Sequence, residues 1–197
     1  NLMPVTINGD GSITGLAVGG LPDGTVDADT LASNAVTTTK IANGAASGSK
    51  IVLPSGAVLQ TVGQRLTASR VQMSGSSYTE LGDDAIITPS ASSNKILITM
   101  TISIHSNSSN TQILMDVARK IGGGSYTNNL SGFSYGVISC ASNNDWNGQH
   151  LQFLDSPNTT SAVTYKLSTR TADSQTVYLN DNGAGTGSFI TLMEIKA

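Results

Sequence analysis

Hydrophobic and polar positions follow two different rhythms along the chain. From Lys95 to His105 the sequence alternates strictly. Ile96, Ile98, Met100, Ile102 and Ile104 fall on one side, and Leu97, Thr99, Thr101, Ser103 and His105 on the other. A period of two over eleven residues predicts a strand with one buried face. Shorter runs of the same kind predict strands at Leu59 to Val62, Asp84 to Thr88, Gln112 to Val117, Gly136 to Ala141, Leu151 to Leu154, Ala162 to Ser168, Thr176 to Leu179 and Phe189 to Ile195. Loops rich in Ser, Asn, Gly and Pro separate them, as in residues 89–94, 106–110, 122–125 and 180–185. Short strands at this spacing, without helical periodicity, predict an all-β antiparallel sandwich or jelly roll over residues 51–197.

Residues 1–50 obey another rule. Val5-Thr-Ile-Asn-Gly-Asp-Gly-Ser-Ile-Thr-Gly15 alternates around Asn-Gly and Asp-Gly, residues that tolerate the positive φ of a tight hairpin. A turn cluster at residues 19–24 precedes a ten-residue repeat, in which Val26 to Ala35 aligns without gaps on Val36 to Ala45. Large apolar side chains recur at Val26, Leu31, Val36 and Ile41, a stride of five. Five residues turn an α-helix by about 500°, so the stripe leaves any single helical face. Each unit therefore reads as a short helical turn plus a bend, with Thr38 or Thr39 as an N-cap. One bulky side chain in five cannot enclose a core within one chain, so this extended segment is expected to assemble with other copies through those four residues.

Composition narrows the function. Only 12% of the residues are charged and the formal net charge is −3, which removes the electrostatic basis for nucleic-acid binding. No apolar run is long enough to insert into a membrane. The single cysteine, Cys140, can form neither an intrachain disulfide nor a thiolate metal site, and is expected to be a small buried strand residue.

Catalytic signatures are missing. His105 and His150 have no nucleophile motif nearby and read as surface or interface histidines. The thirteen acidic residues are scattered, and Asp83-Asp84 reads as a turn before a strand, not as a hydrolytic carboxylate pair. Gly44 to Lys50 lacks the spacing of a phosphate loop, and Gly183 to Gly187 lies in no βαβ unit. Asn8 to Ser12 lacks the closing bidentate carboxylate of a calcium loop. The expectation is a protein without enzymatic activity, cofactor or metal.

Binding chemistry is more visible. Ser142-Asn-Asn-Asp-Trp-Asn-Gly-Gln-His150 sets the only tryptophan, Trp146, beside Asn144, Asp145, Asn147 and Gln149 in what reads as a loop. An aromatic face among amides and a carboxylate matches the apolar face and hydroxyl rim of a sugar. Tyr126, with Asn128 and Asn129, forms a second cluster of the same type.

The opening Val5 to Gly15, the Gly20-Leu-Pro-Asp-Gly24 turn and the Val-x4-Leu/Ile-Ala-x2-Ala units resemble the N-terminal part of small fibre proteins of tailed bacteriophages. Residues 53–60, 87–98, 154–160, 164–166 and 188–195 resemble, in order, the β domain that follows it in such proteins. The resemblance implies a homotrimer on the virion surface. Its N-terminal segment would join tail, collar or capsid proteins, and its β-rich head would contact host-surface glycan. Within the same class, a capsid-bound head fibre or decoration protein without a receptor is the first alternative. A polysaccharide-degrading spike is the second.

Overall fold

The structure, a computed structural model, describes residues 6–10, 13–14, 26, 31–33, 35–37, 41, 51–67, 71–73, 75–106, 111–130, 132, 138–140, 145–172, 175–179 and 187–197. The chain divides into two compact units, Asn1–Val52 and Leu53–Ala197.

In the first unit, β1 (Thr6–Ile7) pairs antiparallel with β2 (Ile13–Thr14), with residues 8–12 between them and no positive φ at Asn8, Gly9 or Asp10. No helix occurs among the described residues. Of the repeat, the Ala35 N–H donates to the Ala32 carbonyl at 2.9 Å, which closes one turn, and most of the remaining expected helical positions lie outside the described residues. Val26, Leu31, Val36 and Ile41 are between 45% and 55% exposed.

The second unit is all-β. Two antiparallel sheets share one hydrophobic core, consistent with a β-sandwich. Its strands are β3 (Val58–Arg65), β4 (Val71–Met73), β5 (Thr79–Ile87), β6 (Lys95–Ser106), β7 (Thr111–Ile121), β8 (Ile138–Cys140), β9 (Asp145–Asp155), β10 (Val163–Thr171), β11 (Val177–Leu179) and β12 (Phe189–Ile195). One sheet has the order β5-β10-β7-β8. In the other, β6 lies at the centre, with β9 along one edge and β12 and then β11 along the other; β3 extends β12 and β4 extends β11. Here β3 and β4 act as one interrupted strand, and so do β11 and β12. Where the partner of β6 changes from β12 to β11, the hydroxyl of buried Ser188 accepts the Ser103 N–H at 2.9 Å. Counted this way, the strands pair from outside inwards: β3/β4 with β11/β12, β5 with β10, β6 with β9, β7 with β8.

The alternation of β6 appears in three dimensions. Ile96, Ile98, Met100 and Ile102 are fully buried, and Ile104 nearly so. They meet Val163, Tyr165 and Leu167 of β10 and Ile113, Met115 and Val117 of β7 across the core. Each such side chain contributes on the order of 1.5–3 kcal/mol.

Two sequence expectations need correction. His105 is not a surface residue. It is 5% exposed and stacks on Tyr178 of β11, its cross-strand partner, with ring centroids 6.2 Å apart. Asp83-Asp84 does not precede a strand but lies within β5, where residues 82–84 oppose the single residue Lys166 of β10. Gly82 makes this bulge possible: its φ is +80°, and a Cβ there would lie 2.9 Å from Leu66 Cδ2.

Two buried carboxylates flank Ile96 on the core face of the central sheet, Asp155 on β9 and Glu194 on β12. Asp155 reaches across to the other sheet. The Arg119 Nη1 of β7 donates to both its oxygens at 2.8 and 2.9 Å, and the Tyr165 hydroxyl of β10 donates at 2.7 Å. Burial, and then this hydrogen bond, hold the Tyr165 phenol far above its usual range. Glu194 gathers the 88–94 loop instead. It accepts from Gln60 Nε2 at 2.6 Å, from Ser90 N and Oγ at 2.6 and 2.8 Å, and from Asn94 Nδ2 at 2.7 Å.

Burial raises the Glu194 pKa, but the donors of Asn94, Gln60 and Ser90 lower it further, so the net shift is downward. A carboxyl depressed on folding stabilises the fold above its ordinary range and loses that contribution as pH falls through the depressed value. The variant Glu194→Gln is therefore expected to cost about 2 kcal/mol at neutral pH by urea unfolding, with the gap to wild type closing in acid. Asp155→Ala strands Arg119 and the Tyr165 hydroxyl, and is expected to cost roughly 3 kcal/mol in the same assay.

Candidate functional site

The tryptophan stretch is strand, not loop. Residues 145–150 open β9 and pair with β6 in continuous register, Trp146 opposite His105, Asn147 opposite Ile104 and Gln149 opposite Ile102. Successive strand positions belong to opposite faces. Positions 145, 147 and 149 therefore share the core face, and 146, 148 and 150 the other. Asn147 and Gln149 are half-buried. Asn144 and the side chains of Asp145 and Trp146 lie outside the described residues. The sequence gathers these residues into one cluster, but the register divides their positions between the two faces of a sheet.

Tyr126 sits in a different setting. After β7 the chain turns back along the edge of that strand that β8 leaves uncovered, and Arg119 and Thr127 exchange backbone hydrogen bonds at 3.0 and 2.7 Å. This carries Tyr126 and Asn128 over the outer face of the four-stranded sheet. The Tyr126 hydroxyl donates to Asp84 Oδ1 at 3.1 Å, and Lys166 Nζ pairs with the same oxygen at 2.8 Å. Lys120 Nζ lies 4.8 Å and Lys166 Nζ 5.6 Å from the centre of the Tyr126 ring. Beside them Asn128 donates to Glu80 Oε1 at 2.6 Å and accepts from the Ser168 hydroxyl at 2.8 Å. Further along β10, Arg170 lies 5.3 Å from the centre of the Tyr78 ring.

The β5 bulge positions the key acid, because the extra residues bring Asp84 level with Lys166. The Lys166 hydrogen bond is the main cause holding Asp84 below the usual carboxylate range. Burial opposes it, and Tyr126 and the Lys120 charge reinforce it. Tyr126 shifts the opposite way, pushed up to about 12 by burial, by its bond to Asp84 and by the charges of Asp84 and Glu80. The tyrosine is thus a neutral donor under all ordinary conditions. The patch combines an aromatic ring, two ammonium groups, an amide and two carboxylates, all half-buried. These groups can stack on a ring and exchange hydrogen bonds with hydroxyls.

No protein-family model matches the chain, and no curated protein matches it significantly. Among the described residues no group of three or more His, Cys, Asp and Glu side chains is placed to hold a metal ion.

Sequence reasoning found Tyr126 and Asn128 but missed Glu80, Asp84, Lys120 and Lys166. The partners of Tyr126 and Asn128 on β5 and β10 lie about 40 residues or more away along the chain. The one signal pointing to them is the polar alternation of β10 at Thr164, Lys166, Ser168 and Arg170.

Removing the ammonium releases the acid. In Lys166→Met the Asp84 carboxyl is expected to titrate at higher pH than in wild type, read by carbon NMR of the side chain. An unchanged titration would show that Lys166 does not hold it.

Proposed function

We propose that the chain is a subunit of a homotrimeric bacteriophage fibre on the virion surface, whose jelly-roll-like head adheres to host-surface glycan without enzymatic activity. The observation that carries this reading is the exposure of Val26, Leu31, Val36 and Ile41 in the single chain, at the five-residue stride. Such a stripe needs other chains to cover it, and copies around a common axis do so with the same residues. The motif order that resembles phage fibres supports the same assignment. The N-terminal segment would attach to other virion proteins of the tail, collar or capsid.

The head supports it in a second way. Nested pairing from the outermost strands inwards, divided between two sheets, supports a jelly-roll-like reading of the sandwich, an architecture used by viral and lectin domains. The carboxylates Asp83, Asp84, Asp155 and Glu194 all hold structural hydrogen bonds or ion pairs, which supports the reading without hydrolytic carboxylates. Glycan contact is assigned to the Tyr126 patch. Three such patches on one particle component raise apparent affinity by roughly 10²–10⁴ over a single weak site.

Light scattering of the purified full chain is expected to give three times the 20.2 kDa chain mass. Leu31→Asp combined with Ile41→Asp is expected to dissociate it, and a monomeric wild type would overturn the assignment. Tyr126→Ala is expected to weaken host-cell binding at least about tenfold, with the mass unchanged. Undiminished binding would remove the patch from the proposal.

A further inference from the structure

The two sheets present very different outer faces. On the four-stranded sheet the outer side carries four charged groups, Lys166 ion-paired with Asp84, Glu80 bonded to Asn128 and Lys120 over the Tyr126 ring. On the central sheet the corresponding face is almost free of charge. One row across it is Leu154, Leu97 and Met193. The next row is Gln152, Thr99 and Thr191, followed by His150, Thr101 and Phe189. No carboxylate stands on this face among the described residues, and its cations, Lys95 and Arg65, lie at its margins opposite Ile195 and Phe189. Leu154 is 50% and Phe189 46% exposed, so large apolar side chains face outward here.

We infer that this face is a subunit interface, covered by a second copy of the same chain. The inference rests on the homotrimeric reading for the number of copies, and extends it from the N-terminal segment to the head. Three observations select another copy as the occupant. The face lacks carboxylates and keeps its cations marginal, so three copies can turn it towards a common axis without bringing like charges together at its centre. Its small side chains, threonines at the centre with Gly63 on β3 beside Thr191, make a flat surface suited to close apposition. Its extent is also right: four strands at about 4.8 Å spacing and roughly eleven residues at about 3.4 Å each cover on the order of 700 Å². A specific interface takes about 800 Å² from each partner. Both units of the chain thus leave apolar residues exposed that copies of the chain would cover.

The test uses the full chain. Thr99→Lys combined with Thr191→Lys sets two ammonium groups at the centre of the face. Ile86→Lys, on the outer face of the other sheet and 49% exposed, is the control. Sedimentation is expected to show the double variant as monomer, or with its assembly midpoint raised at least about tenfold, while the control keeps the wild-type mass. Leu154→Glu, on the exposed side of the edge strand β9, is the second probe should the double variant melt early, and is expected to weaken assembly in the same sense. Wild-type mass and midpoint in both the folded double variant and Leu154→Glu overturn the inference. If Leu31→Asp with Ile41→Asp still dissociates the protein in that case, the trimeric reading survives without it. A wild type that sediments as a monomer overturns both.

Discussion

The buried face of β6 is the constraint on which the second unit depends. Five consecutive inward positions, Ile96 to Ile104, are sealed from solvent, and both edges of the strand are paired. A strand in that position has no freedom to slip, because a shift of one residue would turn the isoleucines outward and the threonines inward. Every other element takes its place from it: β9 follows its full length, β12 and β11 divide its other edge, and β7 and β10 close over its apolar side. Asp155 and Glu194 then secure one end, each beside Ile96. One ties the sheets together and the other ties down a loop.

This hierarchy explains what could be read from the residue pattern and what could not. Strand β6 was legible because its two faces differ so strongly, and the β1–β2 hairpin because Asn-Gly and Asp-Gly mark a chain reversal between two alternating runs. The first half of β9 was not legible. Asn147 and Gln149 occupy core-side positions near the end of the sandwich, where burial is only partial and polar residues are tolerated, so the expected apolar alternation is absent. The β5 strand was shortened in the reading by its bulge, which breaks the period of two at Gly82-Asp83-Asp84. His105 stacks on Tyr178, more than seventy residues later, and no local pattern announces that contact. The Tyr126 patch was half legible for the same reason: its aromatic and amide groups are local, and its charges arrive through pairing.

Charge is scarce in this chain, so where it is placed matters. The described ion pairs either bridge the sheets, as Arg119 and Asp155 do, or decorate the outer side of the four-stranded sheet, as Lys166 and Asp84 do. The opposite outer side carries threonine, glutamine, histidine and apolar residues, with Lys95 and Arg65 only at its margins. On the proposed reading, one face would recognise polar ligands and the other would meet further copies of the chain.

The stitching at residue 53 has a mechanical consequence. Gly56 N donates to the Lys196 carbonyl, Lys196 N to the Ala57 carbonyl, and Lys196 Nζ to the Leu53 carbonyl, so β3 starts beside the last turn of chain and runs away from it against β12. A pull arriving through Leu53 along the axis of β3 would load the β3–β12 ladder in shear, straining its hydrogen bonds together and not one after another. A ladder loaded in this way resists force far better than one whose strands can be peeled apart like a zip.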